Sequence, residues 1–162
     1  MPQPDATPDM SSLSDILPLA ARGYCCSQIL GLLALNAQGR EDASLVRALG
    51  GLCHGAAESG GSCGILTGGA CVLALYVGRG ADAETAHERA TLVLSTFADW
   101  FLERTEREYG GSTCAVILGD GPDGQPGKPD MSRCGNLLAE AWAMLVSILA
   151  DNGLDVGVSR DA

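Results

Sequence analysis

With 162 residues, 46% of them apolar and 19% charged, the chain is long and hydrophobic enough to bury a single core, which excludes bulk disorder and any need for a metal merely to fold. Its net charge of −10, with Lys128 the sole lysine, argues against nucleic acid and anionic membranes, which require clustered positive charge, and fits a basic protein partner. Aromatics make up only 4% while alanine, leucine and 22 glycines abound, a balance that favours helices over sheets.

Residues 1–11 read as a disordered tail, acidic and proline-rich, without the basic start and apolar centre of a signal peptide. A short helix follows, with Ser12 and Asp15 at its start, Leu13, Ile16 and Leu17 along it, and Gly23 as its end. The next starts near Tyr24-Cys25-Cys26-Ser27, carries Ile29, Leu30, Leu32, Leu33 and Leu35, and stops at Gln38-Gly39. Asp42 opens a third helix with Leu45, Val46 and Leu49 on one side, closed by Gly50-Gly51.

The stretch from Gly50 to Gly69 holds eight glycines and runs straight into Ile65, Leu66, Val72, Leu73, Leu75 and Tyr76. A flexible linker would lead into polar sequence, so glycines here signal close approach of backbone to something else. Gly64, Gly68 and Cys71 share helical spacing and form a stripe of small residues for a neighbouring helix, which makes this segment the expected centre of the fold. Cys63 stands at its mouth. The apolar run from Ile65 to Val77 is too short for a membrane span, which takes about 20 residues, so no membrane insertion and a cytoplasmic location are expected.

Beyond Gly78 and Gly80, Asp82 is the expected cap of the longest helix, about Ala83 to Glu108, with Ala86, Ala90, Val93, Phe97 and Trp100 buried. Glu88, Asp99, Glu103 and Arg107 face water, Glu103 and Arg107 being ordered as an i,i+4 pair, and His87 is a surface residue. Gly110-Gly111 ends it. Ser112 to Leu118 reads as a turn of helix or a strand, and residues 119–130 as a polar surface loop. The last helix begins near Asp130 or Ser132, carries Leu138, Ala141, Trp142, Leu145 and Leu149, and ends at Gly153, leaving residues 154–162 as a C-terminal tail. The fold class is therefore all-α: a compact bundle of about five to six helices in a single domain spanning residues 12–153.

The seven cysteines carry the chemistry. In a chain expected to be cytoplasmic they point away from structural disulfides and toward metal binding or redox chemistry. Cys26, Cys63, Cys114 and Cys134 each fall in the first turn of an expected helical segment, where free N–H groups and the helix dipole stabilise a thiolate. Cys71 lies within an apolar helix and reads as a buried hydrophobe. Cys25 points about 100° away from Cys26 around a helix, so the two should not serve one site equally. Cys53 with His54 beside it, and Cys25, are candidates for additional ligands. No Cys-x-x-Cys occurs, which leaves thioredoxin-like chemistry, paired-ligand zinc ribbons and c-type haem attachment unsupported; the glycine-rich segment is neither a P-loop nor a dinucleotide fingerprint.

In order and spacing, Cys26-Ser27-Gln28, Cys63-Gly64-Ile65-Leu66-Thr67-Gly68, Cys114 before Ile117-Leu118-Gly119, and Cys134 resemble the redox-active family with four cysteines and a CGAxxG motif, the C-GCAxxG-C-C type. The resemblance spans about Gly23 to Leu149, and the chain departs from it at Ile65, where the family has alanine. It implies a redox role for the four cysteines. A similar domain occurs in split-Soret cytochromes that contain an iron–sulfur centre, though this chain has no haem motif.

Three functions are compatible with these residues. The foremost is a redox or electron-transfer protein whose four thiolates hold an iron–sulfur cluster and exchange electrons with a redox partner protein. The second is a thiol–disulfide redox protein without metal, and the third a non-enzymatic helical module with a structural zinc site held by four cysteines. Apolar surface leaves a homodimer open.

Overall fold

The computed structural model describes residues 10–119 and 131–161, with the side chains of Met10 and Ser11 outside that description. The expected tail up to Asp9 and the expected loop at 120–130 lie outside the described residues. Seven α-helices are present among them: α1 (Met10–Ala21), α2 (Cys26–Ala37), α3 (Ala43–Leu49), α4 (Gly64–Val77), α5 (Ala90–Tyr109), α6 (Cys114–Leu118) and α7 (Met131–Asp151). No β-strand occurs among the described residues, and the all-helical class holds.

Local chemistry sets the helix boundaries. The Asp42 carboxylate accepts from the Leu45 N–H at 2.9 Å and starts α3, and the Thr113 hydroxyl accepts from the Val116 N–H at 3.3 Å and starts α6. Gly110, in the left-handed conformation at φ 78°, ends α5. α4 lies at the centre, in contact with α2, α5 and α7. Its residues Ile65, Leu73 and Val77 are completely buried, with Val93, Phe97 and Phe101 from α5, Leu30 from α2 and Leu137 and Leu145 from α7. Each such side chain contributes about 1.5–3 kcal/mol by leaving water. α7 is long and apolar enough to cross a bilayer by length and composition alone, and its core-facing residues supply one wall of this bundle.

The structure corrects several sequence expectations. α5 begins at Ala90 rather than Ala83, because side chains before it bind backbone that a helix would otherwise use. The Glu84 carboxylate accepts from the N–H groups of Gly80 and Ala81, Arg79 donates to the carbonyls of Ala81 and Asp82, and the His87 N–H reaches back to the Val77 carbonyl. Ala86 is thus exposed and outside the helix. On α5 the i,i+4 ion pair is Arg104–Glu108 at 3.1 Å rather than Glu103–Arg107, and Arg104 also binds both carboxylate oxygens of Glu140 on α7. Ser12 lies inside α1 instead of capping it.

Cys71 is exposed, not buried. The buried positions of α4 are Gly64, Ile65, Gly68, Gly69, Val72, Leu73, Tyr76 and Val77, and Cys71 falls about 130° from the middle of that face at 3.6 residues per turn. The C-terminal tail is tied back onto the bundle. The Tyr76 hydroxyl donates to the Val156 carbonyl at 2.8 Å, and Arg160 donates to the carbonyls of Thr85 and Tyr76.

Candidate functional site

The first half of the site is the contact of α2 with α4. The Ser27 hydroxyl, fully buried, donates to the Leu49 carbonyl at 2.8 Å, so the start of α2 is fixed to the end of α3. Gln28 works beside it: its Oε1 accepts from the Cys25 N–H at 3.2 Å and its Nε2 donates to the Val46 carbonyl at 3.2 Å. Against this frame the glycines of α4 come very close. A Cβ on Gly64 would lie 2.8 Å from Cys26 Sγ and 3.0 Å from the Leu52 carbonyl oxygen. The mouths of α2 and α4, with Cys26 and Cys63, therefore stand side by side.

A short backbone ladder adds the third cysteine. The Cys63 N–H donates to the Ser112 carbonyl at 3.2 Å, and the Cys114 N–H donates to the Gly61 carbonyl at 2.8 Å. An isolated antiparallel bridge joins Ser62 and Thr113. Thus α6 starts beside α4. The fourth cysteine, Cys134, lies in the first turn of α7, near enough to Cys26 to act on its thiol. Cys63 and Cys114 are buried, 3% and 9% exposed, while Cys26 and Cys134 are half-buried at the rim.

Electrostatics tie the four into one neighbourhood. The Cys26 thiol is pushed up chiefly by the neighbouring Cys134 thiol, with burial adding to it. Burial first, and then Cys26 and Cys114 as like charges, push Cys63 up to about 12. Cys114 is raised by burial and then by Cys26. The helix-mouth effect expected from the sequence is present, since N–H groups of Ile65 and Leu66 favour the Cys63 thiolate. It is outweighed by desolvation and by the neighbouring thiols. The expectation of depressed thiol pKa values is thereby corrected for Cys26, Cys63 and Cys114, where burial and the neighbouring thiols favour the protonated form.

The remaining candidates fall elsewhere. Cys25 and Cys53 form a disulfide with Cα atoms 5.9 Å apart, against the expectation that the cysteines would not form structural disulfides. That bond depends on the folding of the glycine-rich loop over the start of α2, which no spacing rule encodes. The one sequence signal for it is that Cys25, facing away from Cys26, is left to find another partner. His54 is exposed, in a loop where His54, Gly55, Ala56, Ala57 and Glu58 all have positive φ. Four of these five are not glycine, and the left-handed conformation costs about 1–2 kcal/mol at each such residue.

Single-ion coordination is not prepared here. Among the described residues, no group of three or more His, Cys, Asp or Glu side chains is placed to hold a metal ion. A cluster makes a different demand, since it shares four thiolates over several irons and needs no three donors on one atom. The available donors are four thiols from four segments, Cys63 and Cys114 buried and Cys26 and Cys134 half-buried.

Fold and site together define an all-helical protein with four gathered cysteines at helix starts. Residues 24–148 match the family described as "Putative redox-active protein (C_GCAxxG_C_C)", and the chain belongs to that family. No match was found among curated proteins or among solved structures.

Proposed function

We propose that Cys26, Cys63, Cys114 and Cys134 form the redox centre of an electron-transfer protein, as the ligands of an iron–sulfur cluster. The observation that carries this reading is the mutual approach of four thiols supplied by α2, α4, α6 and α7. When bound, such a cluster supplies one-electron transfer. The protein's own contribution is positional. Cys63 and Cys114 form the dry floor of the pocket, and the tight α2–α4 contact fixes Cys26 against Cys63. Half-buried Cys26 and Cys134 lie at the rim, where a partner would come nearest. A net charge of −10 suits a basic redox partner protein. Because Cys26, Cys63 and Cys114 are held toward the protonated form, loading must release protons and is favoured as pH rises. The test is anaerobic preparation followed by absorption spectroscopy with iron, sulfide and zinc analysis. Brown protein whose absorption bleaches on reduction is expected; colourless protein with stoichiometric zinc would refute the reading.

The nearness of the Cys26 and Cys134 thiols favours a second reading, thiol–disulfide redox chemistry. Oxidation would join the two sulfurs and pass two electrons, with release of two protons, to a disulfide acceptor. Colourless, metal-free protein with reversible loss of two free thiols would support it.

A further inference from the structure

The Cys25–Cys53 disulfide lies outside the four-thiol pocket, yet it touches the frame that holds it. Cys25 is the residue before Cys26 at the start of α2. Cys53 opens the left-handed loop, whose backbone bonds lead directly to the pocket. The Gly60 N–H donates to the His54 carbonyl at 2.9 Å and the Gly61 N–H to the Gly55 carbonyl at 3.1 Å. The Gly60 and Gly61 carbonyls in turn accept from Ala115 and Cys114. A continuous chain of bonds thus runs from the disulfide through the loop to the mouths of α4 and α6.

The loop also has a reason to change shape. His54, Ala56, Ala57 and Glu58 are held in a conformation that L-residues disfavour. Anchoring the loop at Cys53 helps to hold it there. Cys25 is half-buried and Cys53 more deeply buried, so Cys25 is the more accessible sulfur. The Ser27 oxygen lies 3.2 Å from Cys25 Sγ and 3.8 Å from Cys53 Sγ while its proton is held by the Leu49 carbonyl, so the disulfide packs directly on the bond that fixes α2 to α3.

We propose that Cys25–Cys53 is a reducible clasp that sets the alignment of the thiol pocket, and that its co-substrate is a protein or small-molecule dithiol. A thiolate of the dithiol attacks Cys25 Sγ, forms a mixed disulfide and expels Cys53 as a thiolate. The second thiol of the reductant then attacks its own mixed-disulfide sulfur and releases Cys25. The reductant leaves as a cyclic disulfide, and its two protons end on Cys25 and Cys53, so two electrons pass to the protein. With the clasp open, the loop relaxes toward right-handed backbone and frees the residues that align Cys63 and Cys114.

The significance of this clasp rests on the four-thiol pocket being the working site, but its motion is measured without reference to electron transfer. Hydrogen exchange by mass spectrometry is followed on the full chain with the disulfide intact and after equilibration with dithiothreitol, free thiols being counted by alkylation. Reduction should accelerate exchange in residues 53–63 and at Cys114 and Ala115 by about tenfold or more, while residues 93–101 of α5 stay unchanged. Ala57→Gly, which removes left-handed strain, should reduce that acceleration. Unchanged exchange on full reduction would overturn the clasp, as would equal acceleration throughout the chain, which marks a plain structural cross-link. An acceleration undiminished in Ala57→Gly would overturn the part assigned to the loop. Each of these failures leaves the metal and sulfide content free to support or refute the electron-transfer reading.

Discussion

Gly68 of α4 meets Ser27 of α2 so closely that a methyl group added at Gly68 would lie 2.7 Å from both Cα and Cβ of Ser27. The obstacle is backbone, and no rotamer can relieve it. Gly68→Ala must separate the two helices and should cost about 1–3 kcal/mol. The denaturant midpoint checks the cost. Because the same contact aligns Cys26 with Cys63, bound iron should fall in this variant as well.

Cys71 lies within α4 and Cys63 caps its start, but the two should behave oppositely. Cys71 is exposed, so Cys71→Ser should shift stability by no more than about 0.5 kcal/mol. Cys63→Ser places a hydroxyl in a buried position and should cost about 1–3 kcal/mol. Paired denaturation curves decide this, and a large loss in Cys71→Ser would contradict the assigned face of α4.

Stability should also depend on pH in the metal-free, reduced protein. Cys63 is raised from 9.0 to about 12, with Cys26 and Cys114 raised in the same direction. Above the unfolded value, the folded chain keeps protons that the unfolded chain has lost, so stability falls as pH rises. The contribution is complete below 9.0 and disappears toward about 12. Denaturant midpoints between about pH 7 and 10 should show this decline, and Cys63→Ala should flatten it.

The ion pair between α5 and α7 gives a further check on the packing. Arg104 binds Glu140 through Nε at 2.9 Å and Nη2 at 3.0 Å, and the two side chains are 16% and 21% exposed. Glu140→Ala should cost about 1–2 kcal/mol, after allowance for solvent screening. Glu103→Ala should change stability by less than about 0.5 kcal/mol, because Glu103 is exposed and the pair forms through Arg104 instead.

The contrast between these residues shows what the sequence could convey. Gly64 and Gly68 at i, i+4 within an apolar run had one good physical explanation, close helix approach, and that approach is made to Cys26 and Ser27. The helix start at Asp42 was legible because its side chain binds backbone three residues on, whereas residues 112–118, open to helix or strand in the sequence, hold the short helix α6 started by Thr113. Cys71 was misread because α4 is apolar nearly all round, and periodicity cannot select the buried side of such a helix. Asp82 misled for another reason: Arg79 and Glu84 bind nearby backbone and hold a turn where capping chemistry suggested a helix. The Cys25–Cys53 bond was hidden because it needs a left-handed loop built largely from residues that disfavour that conformation. The raised thiol pKa values escaped as well. A helix start can be read locally, whereas the desolvation that overrides it comes from segments far apart in the chain.

The central claim is that four particular thiols act as one redox centre. Its most direct test is iron and sulfide content, with anaerobic redox titration, across serine variants at all seven cysteines. Iron and sulfide should be lost or severely reduced in Cys26→Ser, Cys63→Ser, Cys114→Ser and Cys134→Ser, because serine is a poor ligand for iron and stays protonated where a thiol ionises. Cys71→Ser should retain both, and Cys25→Ser and Cys53→Ser, which open the Cys25–Cys53 bond, should lose less iron and sulfide than any of those four. Wild-type protein that takes up neither iron nor sulfide under anaerobic reconstitution would contradict the account. So would equal losses in all seven variants, or a greater dependence on Cys25 and Cys71 than on Cys63 and Cys114.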